Sequence, residues 1–460
     1  MKKKNHFIAY MIAIMIMLFS LPVKAQIVGY AQWDSTNKTL TFSGGGSVPE
    51  GAYSLGDVPG WYNDDSGIQS NCTKVVFDET FEDVRPTSCC LWFQYFSALE
   101  TIEGIENLHT EEVTSMNSMF GSCKSLISLD LSSFNTKKVT DMSSMFAGCS
   151  NLNTIYVSDK FTTNNITTNI LGISYDMNMF SECPLLVGAV SYDPNKVNKS
   201  MANYNNGYFK TYYKLGENLV ELFGKSLQTT NSLVLSDNTN FVAHAPFKAS
   251  SVSYTRDITS DSKWYTLCLP FAYTPTNFTA YQLKSATSNS VEIEEMTGEI
   301  DAGTPIIFKF NDGVDKKIDI TESNADIEND PKTIPDTEGN GCELYGTYQE
   351  KIFPLQNDNT FIIYKDKLMN PAKMLKNNSA TTVGLKPFHA YMTMTTSAGA
   401  SAKSFSIGSG DEETTAIDLL NSVATDDAEY YDINGRRIDA PVKGVNIVRR
   451  GNKTMKLIIK

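Results

Sequence analysis

Cys123, Cys149 and Cys183 occupy one repeated place in the chain, each three residues after the phenylalanine of a Met-Phe pair. A ladder of thiols is what a metal site or a reactive-sulfur relay would use, because the thiolate is both ligand and nucleophile. The competing reading is a row of small buried side chains, since a free cysteine packs like a small hydrophobe. The Met and Phe neighbours favour that second reading. No CxxC pair occurs among the eight cysteines, and His109, His244 and His389 are widely scattered, so zinc ligation with ordinary spacing is not expected, nor any other cofactor. Cys89 and Cys90 are adjacent and open to a vicinal disulfide, although Cys89 also reads as the counterpart of Met116 one repeat earlier.

The other candidates for chemistry are carboxylates. Glu292, Glu294, Glu295, Glu299 and Asp301 lie close together, and glycoside hydrolysis needs two such groups, one as acid and one as base or nucleophile. Glu292 and Glu294 flank Ile293, however, which is the pattern of a strand with one solvated face. No GxSxG, HExxH or phosphate-binding loop is present, and no serine has a convincing histidine partner. The chain is therefore expected not to be an enzyme.

The elements that would position these residues recur. Val113, Met119, Phe120, Cys123 and Leu126 return 26 residues later as Val139, Met145, Phe146, Cys149 and Leu152. Trp92, Phe93, Phe96, Leu99 and Ile102 precede Met119, Phe120, Cys123, Leu126 and Leu129 by 27, and Val75 precedes Ile102 by 27. Met179, Phe180, Cys183 and Leu186 follow at 34, which is 26 plus an eight-residue insertion near Asn165 to Ile173. A fixed period in the twenties marks a stacked array whose copies bury a shared stripe. Met142, Met145, Phe146 and Cys149 stand at i, i+3, i+4 and i+7, which predicts a helix of about two turns behind Asp141 as cap. Leu129 with Leu131, and Ile155 with Val157, alternate with polar residues and predict short strands.

The run LDLSSFNTKKVTDMSSMFAGCSNL, Leu129 to Leu152, resembles the BspA-like leucine-rich repeat family of bacterial surface proteins. The resemblance spans about Cys72 to Val190 and implies an α/β solenoid used for adhesion, with a host or bacterial surface protein as partner. On that basis the outward strand positions Thr101, Glu103, Ser128, Asp130, Thr154 and Tyr156 are the candidate ligand-binding residues. Ahead of the repeats, Tyr30 to Gly46 alternates about Asn37-Lys38 and predicts a hairpin that covers the open end of the stack. Trp33 and Trp61 alternatively serve as sugar-stacking platforms.

The first 25 residues carry a lysine-rich start, an apolar run from Phe7 to Phe19 and a small-residue ending at Ala25. This is the pattern of a cleaved secretory leader, and the run falls short of the ~20 residues of a membrane span. The net charge of −13 becomes −17 once the leader is removed, because it holds Lys2, Lys3, Lys4 and Lys24 and no acid. So acidic a chain, without a basic stripe, is not expected to bind nucleic acid.

Residues 194–245 read as an adaptor with a helix near Glu217 to Leu227. From 246 to 408, short alternating runs such as WYTLCLPFAY, SVEIEEM and TFIIYK predict an all-β sandwich, with Asn311-Asp312-Gly313 as the turn of a hairpin. WYTLCLPF followed by AGTPIIF is similar to β-sandwich modules near the C-termini of secreted proteins of Gram-negative anaerobes. A polar linker at 409–428 leads to Asn434-Gly435-Arg436-Arg437, Pro441 to Val445 and the strand ending at Lys460, which resemble the C-terminal sorting domains of the type IX (Por) secretion family.

The expected architecture is multidomain and β-rich, with a leader at 1–25, a capping region at 26–71, repeats at 72–193, the adaptor, the sandwich, the linker and a small β module at 429–460. The expected function is that of a secreted, cell-surface, non-enzymatic binding and adhesion protein. A carbohydrate-binding accessory protein or glycan-degrading enzyme working through the sandwich is the alternative, and a self-assembling surface-layer component is a third reading.

Overall fold

The structure, a computed structural model, describes residues 27–167, 172, 174–224, 227–287, 290–339, 341–354, 359–374, 382–394, 404–408, 429–432, 436–438, 444–450 and 453–459. The expected leader and linker, and Asn434-Gly435 of the C-terminal motif, lie outside these residues. The chain is β-rich, with several separate sheets. It divides into two compact units, the first comprising residues up to Tyr212 together with Glu221–Ser226, the second Tyr213–Val220 and Leu227–Lys460.

In the first unit, β1 (Val28–Asp34) and β2 (Thr39–Gly45) form the expected hairpin, with Asp34 opposite Thr39 and Lys38 in the left-handed region at the turn. β3 (Tyr53–Ser54) pairs with β1 on its other side. β4 (Lys74–Phe77) lies parallel to β2, and β5 (Thr101–Glu103) parallel to β4 with Val75 beside Ile102. β6 (Ser128–Leu131) and β7 (Thr154–Val157) pair in parallel with a register of 26, and the start of β8 (Phe209–Leu215) follows β7. Trp61 is in the core, its indole nitrogen donating to the Trp92 carbonyl at 2.8 Å, so it is not a sugar platform.

The helix expected in each repeat does not form. Between Met116 and Cys123 the chain runs as linked turns, with Ser118 and Ser122 at φ 52° and 63°. The matching positions Leu91 and Tyr95, Ser144 and Gly148, and Asn178 and Glu182 are left-handed too. The amides of Met119, Gly121 and Cys123 close i to i−3 turns on Met116, Ser118 and Phe120, and that of Asn117 reaches the Ser115 hydroxyl at 3.4 Å. The others reach across to the next repeat: Met116, Ser118, Phe120 and Ser122 donate to the carbonyls of Asp141, Ser143, Met145 and Ala147 at 2.7 to 2.9 Å. An eight-residue helix is too short to hold itself together and leaves four amides and four carbonyls open at its ends. Left-handed backbone costs roughly 1–2 kcal/mol per non-glycine residue, and the ladder that it permits gives those groups partners in the neighbouring copy. Met116, Met119, Phe120 and Cys123 still point inward and are fully buried, so the apolar spacing is satisfied by a different backbone.

Two side-chain ladders and a second backbone ladder run alongside it. The rings of Phe93, Phe120, Phe146 and Phe180 stack in succession with centroids 5.5, 5.9 and 5.5 Å apart. The thiols of Cys123, Cys149 and Cys183 donate to the carbonyls of Phe93, Phe120 and Phe146 at 3.1, 3.0 and 3.0 Å. Thr114, Thr140 and Thr167 donate their amides to Thr87, Thr114 and Thr140. The insertion branches off at this last rung: the Tyr175 amide returns to the Thr167 carbonyl at 2.9 Å, and the Tyr175 carbonyl then receives Met142. The ladder thus continues past the insertion.

Near Glu217 the chain forms a strand, β9 (Asn218–Leu222), not the expected helix. Gly216 at φ 58° turns β8 back onto it, and β9 pairs with β8.

The second unit contains β10 (Gln228–Ser236), β11 (Phe241–Ala243), β12 (Phe247–Asp257) and β13 (Tyr265–Leu267), followed by β14 (Phe278–Ala286), β15 (Ser290–Met296), β16 (Ile306–Phe310) and β17 (Lys317–Ile327). After these come β18 (Thr333–Pro335), β19 (Cys342–Gly346), β20 (Lys351–Pro354), β21 (Thr360–Tyr364), β22 (Lys367–Met369), β23 (Thr382–Leu385), β24 (Ala390–Met394) and β25 (Ser404–Gly408). One ten-stranded sheet runs in the order β13-β16-β14-β15-β25-β22-β21-β24-β19-β18, and β10-β12-β17 form a second. Trp264, Leu283, Ile293, Phe361, Met392 and Phe405 lie in one buried cluster. The hairpin expected at Asn311-Asp312-Gly313 is absent: β16 pairs with β13 and β14, while β17 pairs with β12 from Phe247↔Ile327 to Asp257↔Lys317. The turn is present, with Gly313 at φ 76°, but its two flanking strands leave for different sheets. At the C-terminus, β26 (Glu429–Tyr431), β27 (Arg437–Ile438), β28 (Gly444–Arg450) and β29 (Lys453–Ile459) make a four-stranded antiparallel sheet.

Candidate functional site

The six candidate residues fall on two sheets. Thr101 and Glu103 are exposed on β5, where Glu103 pairs with Lys74 at 2.7 Å. Ser128 and Asp130 are exposed on β6 and lie beside Thr154 and Tyr156 of β7. Thr154, at 7% exposure, is buried, and its hydroxyl donates to the Asn153 side chain at 2.9 Å. Ser128, Asp130 and Tyr156 therefore share a neighbourhood, while Thr101 and Glu103 belong to the sheet of β4 and β5.

β8 and β9 complete that neighbourhood with residues the sequence reading passed over. Lys210 lies beside Tyr156 in the β7–β8 register. Its ammonium reaches Glu221 at 3.0 Å, and the Tyr156 hydroxyl donates to the other oxygen of the same carboxylate. Two positions along β8, the Tyr212 hydroxyl donates to Asp130 at 2.7 Å and lies 3.3 Å from Ser132. The Asp130 carboxylate also accepts the Ser132 amide at 3.0 Å, and the Tyr156 and Tyr212 rings meet edge to face at 5.2 Å. The signal for Lys210 and Tyr212 was the aromatic run FKTYYKL, which has strand composition.

The electrostatics follow from the contacts. Burial opposes ionisation of Glu221, but the Tyr156 hydroxyl and Lys210 outweigh it and hold the carboxyl below its ordinary range. Burial and the adjoining carboxylates push both tyrosine hydroxyls well up, so they remain neutral donors. The result is a patch in which exposed Asp130 and partly exposed Tyr156 are fixed from beneath by buried Tyr212 and by the buried Lys210 that pairs with Glu221. Its groups are committed to one another as donors and acceptors.

The remaining candidates for chemistry have structural surroundings. The Cys123 and Cys183 thiols are buried, which pushes the latter up to about 12 and the former strongly up as well. All eight cysteines are free thiols, so Cys89 and Cys90 form no vicinal bridge. Glu292 and Glu294 lie on β15 on either side of buried Ile293, within reach of Lys284 at 3.7 Å and Gln282 at 2.8 Å respectively. Among the described residues, no group of three or more His, Cys, Asp and Glu is placed to hold a metal ion. Nor is any helix among them long and apolar enough to cross a membrane.

Residues 89–214 match a family described as Mycoplasma protein of unknown function, DUF285. The match takes in the repeats from Cys89 onward and β8, and so all of the β6–β8 patch except Glu221. No curated protein and no solved structure matches the chain.

Proposed function

We propose that this is a secreted, surface-displayed binding protein without catalytic activity, whose residues 72–193 form a short leucine-rich-repeat solenoid of the BspA-like kind. Residues 246–408 act as a β-sandwich spacer, and 429–460 as a sorting-type module that delivers or holds the chain at the outer surface. The partner is a host or bacterial surface protein, and adhesion is the outcome. The observation that carries the reading is the β6–β8 patch, where Asp130, Tyr156 and Tyr212 are fixed by Ser132, Lys210 and Glu221 before any partner arrives. Tyr156 is partly exposed and is held edge to face by buried Tyr212, so it loses little conformational freedom on binding, which makes it a good anchor. The stacked parallel strands and the 26-residue hydrogen-bond ladder support the solenoid reading. The test is retention of surface proteins by the chain and by a variant with charge reversed on β6, for which loss of the retained protein is expected.

A further inference from the structure

A cavity of about 810 Å³ opens in the second unit, between the end of β12, the segment 258–263, the β21–β22 turn and the segment leading to β24. This size is usual for a small-molecule site. Its floor is Arg256, 7% exposed, whose Nε reaches Asp237 at 2.9 Å and the Tyr254 hydroxyl at 2.7 Å. The two Nη groups donate to the Thr266 and Phe388 carbonyls at 2.8 and 3.1 Å. The guanidinium therefore fastens three segments, and its charge is met by Asp237. It holds the cavity open and is not offered to an anion.

Beside it lies His389, with Nδ1 3.0 Å from the Pro387 carbonyl. Nδ1 also lies 3.5 Å from Nη2 of Arg256, which only donates, but the carbonyl contact is shorter by half an ångström and a carbonyl only accepts, so Nδ1 carries the hydrogen and Nε2 is an acceptor. Burial, and then Arg256, lower the imidazole to about 4, which keeps it neutral near pH 7. Asp257 and Asp261 add exposed carboxylates to the lining. Asp366 joins two walls, accepting the amides of Lys263 and Trp264. Tyr265 and Tyr364 supply ring surface, the first with its hydroxyl bound to the Ser260 and Ser262 carbonyls, the second 44% exposed.

The lining sets the cations Arg256, Lys365 and Lys386 against the carboxylates of Asp237, Asp257, Asp261 and Asp366, and Lys365 lies 5.3 Å from the centre of the Tyr364 ring while Lys386 donates to Asn238 at 3.3 Å. Charges so nearly balanced, with carbonyl and carboxylate acceptors and two aromatic rings, suit a ligand that brings hydroxyl groups, no net charge and apolar C–H faces. We propose that this cavity binds a short neutral oligosaccharide, with Tyr364 stacking on a sugar ring and His389 Nε2 accepting a sugar hydroxyl. It is a second site, independent of the partner face of the first unit, and neither reading depends on the other.

The test is an array of neutral oligosaccharides, with a parallel set carrying sulfate or carboxylate groups, probed with the whole chain. Titration calorimetry on the neutral oligosaccharide that is bound best then compares Tyr364→Ala and His389→Phe with wild type. The expected result is binding from the neutral set only, weakened about tenfold by Tyr364→Ala and at least as much by His389→Phe. Tyr95→Ala, an exposed aromatic of the first unit, leaves it unchanged. If thermal melting shows that His389→Phe is unfolded, Tyr364→Ala decides alone. Binding of the charged set in preference, no binding from the neutral set, or unchanged affinity in Tyr364→Ala overturns the proposal.

Discussion

The Cys149 thiol donates to the Phe120 carbonyl, 29 residues earlier in the chain, across 3.0 Å. That carbonyl already accepts the Cys123 amide, so the thiol takes its second lone pair. Replacing Cys149 by alanine removes the bond and leaves a small void, and should cost about 1–2 kcal/mol in urea unfolding. A Cys149→Ala chain as stable as wild type would show that neither the bond nor the packing of the thiol contributes.

The same burial governs reactivity. Thiolate is the attacking form, and the Cys183 thiol is pushed up to about 12. Iodoacetamide at pH 8 should therefore leave Cys123 and Cys183 unmodified in the native chain and label both in denaturant. Half-buried Cys90 should be the first cysteine modified. Peptide mass mapping reads the order directly, and early labelling of Cys123 would contradict the buried ladder.

Phe120 is stacked between Phe93 and Phe146 at 5.5 and 5.9 Å and is fully buried. Phe120→Ala should lose about 3–5 kcal/mol, the cost of a large cavity in a packed core. Phe120→Leu should lose clearly less, and calorimetric melting separates the two.

Backbone handedness gives a paired prediction. Gly148 is at φ 76°, and an added Cβ would come within 2.9 Å of the Ser122 hydroxyl, so Gly148→Ala should destabilise by about 1–2 kcal/mol. Ser144, at φ 56°, is a non-glycine residue in the same region, and Ser144→Gly should be neutral or slightly stabilising. A helix through these residues would reverse both signs.

These positions also mark where the sequence was legible. Apolar spacing placed Met116, Met119, Phe120 and Cys123 inside, and the 26-residue period placed β6 against β7 in the observed register. The spacing i, i+3, i+4, i+7 is shared by a helix and by a ladder of four-residue turns, so the pattern alone did not choose between them. The choice is made by hydrogen bonds to another repeat, which local sequence does not encode. The β6–β8 patch was half visible for a similar reason. Asp130 and Tyr156 follow from strand alternation, but Tyr212 reaches Asp130 because β8 pairs with β7, and Glu221 reaches Tyr156 through the β8–β9 reversal at Gly216, 82 and 65 residues away from their partners. The missing hairpin at Gly313 shows the same limit, since turn chemistry fixes a reversal and not the pairing partner of the next strand.

His389 predicts a pH dependence for the second unit. Its folded pKa, about 4, lies below the ordinary value of 6.5, so the folded state binds fewer protons than the unfolded chain between the two. The stabilisation is complete above about 6.5 and is lost as pH falls toward 4, with an upper bound on the order of 3 kcal/mol. Unfolding curves from pH 7.5 to 4 should show this slope in wild type and a shallower one in His389→Gln. Equal slopes would show that the imidazole is not the group responsible.

The central claim is that the β6–β8 face of the first unit is the partner-binding surface. It is tested most directly by immobilising the whole chain and its Ser128→Lys, Asp130→Lys variant side by side, both positions being exposed on β6. Each is exposed to the same extract of surface proteins, and the retained proteins are quantified by mass spectrometry, with matched melting temperatures as the folding control. The account predicts at least one protein retained by wild type and reduced tenfold or more by the variant. The same proteins retained in equal amounts by both chains would contradict it.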